Sequence, residues 1–239
     1  MTTTPNSFGA LKATEQARRR RRRLIAAVVA GVVLLLVGVA IWAFWFSPLL
    51  VVKRVEVSGE SLLSKDDVVT AAGVASGLPL VRVDLGAVEA RVGSLNPVAS
   101  VAASRSFPDA IVVEIVEREL VFVRKSSEGY VWVDEDGVEF HTDAKAPKGV
   151  PVAQLGDAET RLLRDIATVV SNLPDALDGQ QITMNNPSVD KIVLTLPENR
   201  EVVWGSADDS SLKADVLAAL LSVEARVYDV SAPNHPTTK

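Results

Sequence analysis

The chain has 239 residues, 48% of them hydrophobic and 23% charged, with a formal net charge of −5. It is too apolar to be disordered and long enough for one large domain or two small ones. It contains no cysteine, which excludes thiol catalysis, thiolate metal sites and disulfide staples, so its folded parts depend on their apolar cores.

Residues 1–17 are polar and lack usable periodicity. Arg18, Arg19, Arg20, Arg21, Arg22 and Arg23 then run together, and the first 23 residues sum to +6 against −11 for residues 53–239. Directly behind them, Leu24 to Phe46 contains no charged residue. As a helix these 23 residues would be about 34 Å long, against a hydrocarbon layer of about 30 Å. A soluble helix is rarely apolar on every face over that length. A cleaved signal peptide has a shorter apolar core and a small-residue cleavage site. This segment ends instead in Trp42, Phe44, Trp45, Phe46, Ser47 and Pro48, and such rings favour the headgroup level. The sequence therefore predicts an uncleaved span at 24–46 with a basic cytoplasmic tail at 1–23. The arginines would face anionic lipid rather than nucleic acid, since the remainder of the chain is acidic.

Beyond the span, Val51, Val52, Val55 and Val57 alternate with polar residues and predict a strand stopped at Ser58-Gly59. Ser64, Lys65-Asp66-Asp67 and a closing Gly73 predict a short capped helix. Asp84 opens a second helix with Leu85, Val88, Val92 and Leu95 at helical spacing, closed by Asn96-Pro97. Strands follow at Val98 to Ser104 and Ile111 to Val116, around a turn at Phe107-Pro108-Asp109. Leu120 to Arg124 and Tyr130 to Val133 read as further strands, and Asp134 to Gly137 as a turn before Val138 and Phe140. A helix from about Ala158 to Leu173 presents Leu162, Leu163, Ile166, Val169 and Val170 on one face. Strands Ile192 to Leu196 and Glu201 to Trp204 precede a helix carrying Leu212, Val216, Leu217, Leu220 and Leu221. The last strand is predicted at Arg226-Val227-Tyr228-Asp229-Val230-Ser231, before a proline-containing tail.

Reaction chemistry is sparse. His141 and His235 are the only histidines, too few for a histidine-based zinc site without several carboxylates. No nucleophile elbow, phosphate loop or dinucleotide fingerprint occurs. Acidic residues are scattered, as on a solvated face. Ser210-Ser211-Leu212-Lys213 matches S-x-x-K but lacks the partner motifs S-D-N and K-T-G; a helix cap and a solvated lysine are the simpler reading. No cofactor, metal or small-molecule substrate is expected. Binding remains, because the outer strand of a sheet carries unpaired backbone groups that invite strand addition.

The segments Val55-Glu56-Val57-Ser58-Gly59, Pro97-Val98, Arg105-Ser106-Phe107-Pro108 and Val116-Glu117-Arg118 stand in an order that resembles a POTRA domain. More closely, behind a single span, they are similar to the POTRA of the FtsQ/DivIB family of bacterial cell-division proteins. Val133-Asp134-Glu135-Asp136-Gly137-Val138-Glu139-Phe140 fits that family's V-D-x-x-G-x-x-F pattern. The resemblance covers nearly all of 24–233, and the Ala- and Val-rich, cysteine-free composition has an actinobacterial flavour.

It implies an α+β protein: one N-terminal transmembrane helix, a POTRA domain (β-α-α-β-β) at 49–119, a second mixed α/β sheet domain at 120–232 ending in an edge strand, and a tail at 233–239. It implies a non-enzymatic divisome scaffold in the cytoplasmic membrane at the septum, its bulk extracytoplasmic. Such a scaffold recruits FtsB and FtsL by strand addition at Arg226, Val227, Tyr228, Asp229, Val230 and Ser231. If these residues lie on an open edge, Tyr228→Lys or Val230→Asp weakens FtsB capture with little effect on melting. The competing readings are an edge merely protected by Pro233 and Pro236, a membrane-anchored cell-wall hydrolase, and a POTRA-bearing secretion component.

Overall fold

The computed structural model describes residues 22–39, 42, 50–156 and 159–239. Helix α1 (Arg22–Val39) is long and apolar enough to cross a membrane, and none of it is buried against the remainder of the chain. Phe44, Trp45 and Phe46 lie outside the described residues, as do Arg18 to Arg21. Arg22 and Arg23 form the exposed start of α1.

The first folded unit runs β1 (Arg54–Ser58), α2 (Lys65–Ala72), α3 (Leu85–Gly93), β2 (Val98–Ser106) and β3 (Ala110–Glu117), with a 3-10 turn at Leu80–Arg82. Its caps fall where the sequence places them. The Ser64 hydroxyl accepts from the Asp67 N–H, Asp84 accepts from the Ala87 N–H, and Gly73 closes α2 in the left-handed conformation. The three strands lie in the order β1-β3-β2, β1 parallel and β2 antiparallel to β3. Val68 and Ala72 of α2 and Val88 and Val92 of α3 pack on Ile111 and Val113 of β3. Gly59 makes the exit from β1, because a Cβ there would stand 1.9 Å from the Ile115 carbonyl oxygen.

Glu117, at the end of β3, gathers the entry to α2. Its carboxylate accepts from the backbone N–H groups of Ser61 (3.0 Å), Leu62 (2.8 Å) and Leu63 (2.9 Å). Burial pushes this carboxyl group's pKa up, but the three N–H donors together outweigh that and hold it below the ordinary glutamate value.

The second unit is one nine-stranded sheet in the order β12-β11-β10-β9-β8-β7-β4-β5-β6. Its strands are β4 (Phe122–Lys125), β5 (Tyr130–Val133), β6 (Glu139–Asp143), β7 (Val152–Gln154), β8 (Thr183–Asn185), β9 (Ile192–Leu196), β10 (Arg200–Gly205), β11 (Val227–Asp229) and β12 (Thr237–Thr238). Helices α4 (Thr160–Ser171) and α5 (Ser210–Leu220) pack through Leu163, Ile166 and Leu217 on a core that includes Phe122, Met184 and Trp204. Strands β6, β7, β8 and β12 are additions to the sequence reading. The last three span only two or three residues, too few for alternation to register.

Arg118 links the units. Its N–H donates to the Pro97 carbonyl, its Nε to the Asn96 carbonyl (3.1 Å), and its Nη1 to Asp134 Oδ2 (2.6 Å). The other oxygen of Asp134 accepts from the N–H groups of Asp136 and Val138. That turn closes on Gly137, where a Cβ would meet the Arg164 backbone nitrogen at 2.6 Å. The V-E-R and V-D-x-x-G segments, with Arg118 and Asp134 sixteen positions apart, are thus joined across the junction.

Candidate partner-binding edge

Strand β11 enters the sheet parallel to β10, with Glu201 opposite Val227, Val202 opposite Tyr228 and Val203 opposite Asp229. A parallel pair requires a crossover, and α5 supplies it. Tyr228 points into the core at 1% exposure, and its hydroxyl donates to the Val223 carbonyl (2.9 Å) while accepting from the Ala225 N–H (3.2 Å). Val230 is fully buried. Val227 and Asp229 are half-buried on the opposite face, as strand alternation requires.

The expectation of an unpaired edge at Arg226 to Ser231 is corrected in one respect. The tail folds back as β12, antiparallel to β11, with Thr238 opposite Tyr228 and Thr237 opposite Asp229. The Lys239 carbonyl accepts from the N–H groups of Arg226 (2.8 Å) and Val227 (3.0 Å), and the Lys239 N–H donates to the Val227 carbonyl (3.0 Å). Asp229 Oδ1 accepts from the Ser231 N–H (3.0 Å) and hydroxyl (2.6 Å), which fixes the turn towards β12. The outermost strand is therefore β12, within the predicted tail. The signal for it is two adjacent β-branched threonines behind Pro236, a run too short to claim a strand unaided.

Because 227 and 239 form a hydrogen-bonded pair, alternation turns the N–H and C=O of Thr238 away from β11. Thr237 and Thr238 are both exposed. Beside this edge lies a groove of about 700 Å³ lined by Arg200, Leu221, Glu224, Arg226 and Lys239, among others. Arg226 thus lines a surface depression together with two other cations and two glutamates, Glu198 and Glu224.

A second correction concerns the same six residues. Tyr228 and Val230 are core side chains, so Tyr228→Lys and Val230→Asp would disrupt the second unit instead of probing a surface.

The S-x-x-K segment is also more buried than its sequence implies. Asp209, in the left-handed conformation, is the N-cap of α5, and Ser210 is its first residue. The Ser210 hydroxyl accepts from Trp204 Nε1 (3.2 Å) and donates to the Ala207 carbonyl (2.7 Å). Lys213, 3% exposed, donates to the Ser206 carbonyl (2.8 Å). Burial lowers the pKa of this ammonium, while Asp208 and Asp209 pull it back up. Serine and lysine thus each bond to the loop before α5, a scaffolding arrangement. His141 packs edge-on to Trp132 with ring centroids 4.9 Å apart. No group of three or more metal-binding side chains occurs among the described residues.

An apolar helix, a three-stranded unit with two helices on one face, and a larger sheet closed by a short outer strand define a helix-tethered POTRA protein. A family model for the FtsQ-type POTRA domain matches residues 50–118. The chain is 38% identical over 219 residues to the cell division protein FtsQ of Streptomyces collinus, covering 85% of this chain and 83% of that one. It is 38% identical to the FtsQ of Streptomyces griseus, covering 80% and 97%. It is 39% identical to that of Mycolicibacterium smegmatis, covering 82% of this chain and 59% of that longer protein. Among solved structures, the major extracytoplasmic domain of the cell division protein DivIB from Geobacillus stearothermophilus overlaps it in part. That overlap has a TM-score of 0.33 and 18% identity, over 43% of this chain and 87% of that one. The chain belongs to the FtsQ family of bacterial cell-division proteins.

Proposed function

We propose that this chain is a divisome scaffold that acts by binding, without a cofactor or a reaction of its own. In this reading α1 crosses the cytoplasmic membrane with residues 1–23 inside, against anionic lipid, and both folded units outside at the septum. The β11–β12 edge receives an extended segment of the FtsB–FtsL pair and so couples early division proteins to septal peptidoglycan synthesis. The observation that carries this is the outward-facing backbone of Thr238 on an exposed two-residue strand, which leaves one side of a nine-stranded sheet open to a further strand. Tethering both partners in one membrane raises their effective concentration, so a short strand contact suffices.

The test is Thr238→Pro, which removes the outward N–H and leaves the core untouched. Pull-down of FtsB by the variant should fall about tenfold, the scale of one or two lost backbone hydrogen bonds, with melting unchanged. Retained binding would refute the edge assignment.

A further inference from the structure

The end of the POTRA unit nearest α1 is built from two loops that are separate in sequence. Val52 N–H donates to the Leu78 carbonyl (2.9 Å), and Gly77 N–H donates to the Val52 carbonyl (2.8 Å). Leu80 N–H donates to the Leu50 carbonyl (2.9 Å), and Val51 bridges Pro79. From the other side, Lys53 N–H donates to the Asp109 carbonyl (2.8 Å), which places the Phe107-Pro108 turn beside the same residues. Each loop exposes one large apolar side chain: Leu78 is 37% exposed and Phe107 54%. Around them stand Lys53 and Arg54, both exposed, with ion pairs to Asp109 at 3.5 and 2.8 Å, and Arg54 Nε also donates to Glu56 (2.7 Å).

Chain length bounds how far this end can lie from the lipid. Six residue steps separate Phe46, the last residue of the apolar segment, from Val52, and they reach at most about 20 Å when fully extended. The headgroup layer on each side of a bilayer is itself about 5–8 Å deep. Two loops hydrogen-bonded to residues 50–53 therefore stay within one short tether of the lipid. An exposed phenylalanine and leucine with ion-paired side chains beside them is an amphipathic surface that rests in that layer, and the tether makes even a weak contact persistent.

We propose that the Ser76–Pro79 loop and the Phe107-Pro108 turn form a membrane-contact surface. Leu78 and Phe107 seat among the headgroups of the bilayer that α1 crosses, and the Lys53, Arg54, Asp109 and Glu56 ion pairs lie beside them at the polar level. This fixes the POTRA unit against the membrane instead of leaving it to swing on its tether. It rests on the reading of α1 as a span, and the experiment separates the two.

The chain has no cysteine, so single cysteines can carry one environment-sensitive fluorophore each. Full-length chain labelled at Ser76→Cys, Phe107→Cys, Leu36→Cys within α1, or Val223→Cys on the second unit is reconstituted into phosphatidylcholine–phosphatidylglycerol vesicles. Quenchers are lipid-borne at shallow or deep positions, or iodide in the water. The labels at 76 and 107 should lose about half their emission to the shallow lipid quencher, as interfacial groups do. The label at 223 should answer only to iodide and that at 36 only to the deep quencher. Replacing Leu78 and Phe107 by aspartate should return the label at 76 to the behaviour of the one at 223.

If 36 is quenched from the lipid while 76 and 107 match 223, the contact surface is wrong and the span stands. If 36 is not quenched, both fail. Shielding of 76 and 107 from iodide without lipid quenching would assign the patch to a second copy of the chain and overturn the proposal.

Discussion

The two folded units solve the same packing problem with different means. In the POTRA unit the buried side chains of α2, α3 and β3 are mostly valine and alanine, and long charged side chains bind the backbone around them. Arg105 donates to the carbonyls of Leu80 (2.8 Å) and Val83 (2.6 Å), Arg91 Nε donates to the Ala72 carbonyl (3.1 Å), Glu89 accepts from the Ala103 N–H (2.8 Å), and Glu117 holds three amides. The second unit instead buries Trp204, Tyr228, Phe122, Met184 and several isoleucines and leucines. A unit of this smaller size removes less apolar surface from water per residue, and charge-assisted bonds to backbone hold the loops that its core does not reach.

That contrast orders the expected effects of substitution. The largest falls on the bulky core of the second unit. Val230→Asp places a carboxylate at a fully buried core position and should cost more than about 3 kcal/mol. Calorimetry should show the second unit's transition lost or displaced while the POTRA transition persists, and joint loss would mean that the two units fold as one.

Next comes the junction. Arg118→Ala removes a partly buried ion pair with Asp134 and the tie to Asn96. It should cost about 2 kcal/mol, between the value of an exposed pair and that of breaking a buried one. Limited proteolysis near residues 118–121 should accelerate in step, and an unchanged cleavage rate would show that the junction is held by other contacts.

A smaller effect tests the polar ties of the POTRA unit. Glu117→Gln keeps the shape but weakens three charge-assisted bonds, at about 1–2 kcal/mol. Because the folded pKa is depressed, the glutamate's contribution is fully present above its ordinary value near 4.3 and fades as pH falls through the lower folded value. Urea unfolding should therefore separate wild type from variant at neutral pH and bring them together in acid. A gap that does not depend on pH would remove the charge from the explanation.

The smallest effect is at Lys213. Lys213→Met exchanges a buried ammonium for a side chain of similar length and leaves the Ser206 carbonyl without its donor, so the net change should stay within about 1 kcal/mol. The folded pKa is lowered, so the wild type carries its desolvation penalty at neutral pH. That penalty should fade as pH rises towards about 10.4, a trend that chemical denaturation in alkaline buffers would reveal.

Local signals carried most of the fold into the sequence. Ser64, Asp84 and Gly73 mark helix ends through bonds to their own neighbours, and Ile192 to Leu196 shows the two-residue period of a strand. Strands β7 and β8 escaped because three residues cannot display a period. In the candidate site, the sequence located β11 around Tyr228, though as a strand of six residues where three form it, and not the strand beyond it. It also placed Lys213 in solvent, since helical spacing alone does not reveal that the loop before α5 folds over that side of the helix.

By itself, then, the sequence determined the apolar helix with its basic flank, the order of the helices and the longer strands, and the motifs that mark the family. All of these depend on interactions within a few residues. Only the tertiary structure decided that Thr237 and Thr238 form the outermost strand, that Arg118 meets Asp134, and that Leu78 and Phe107 share the end beside Val52. Each of those joins residues beyond the reach of a single helix turn or strand period, from about eight positions apart upwards, and such meetings are set by how whole sheets and helices pack.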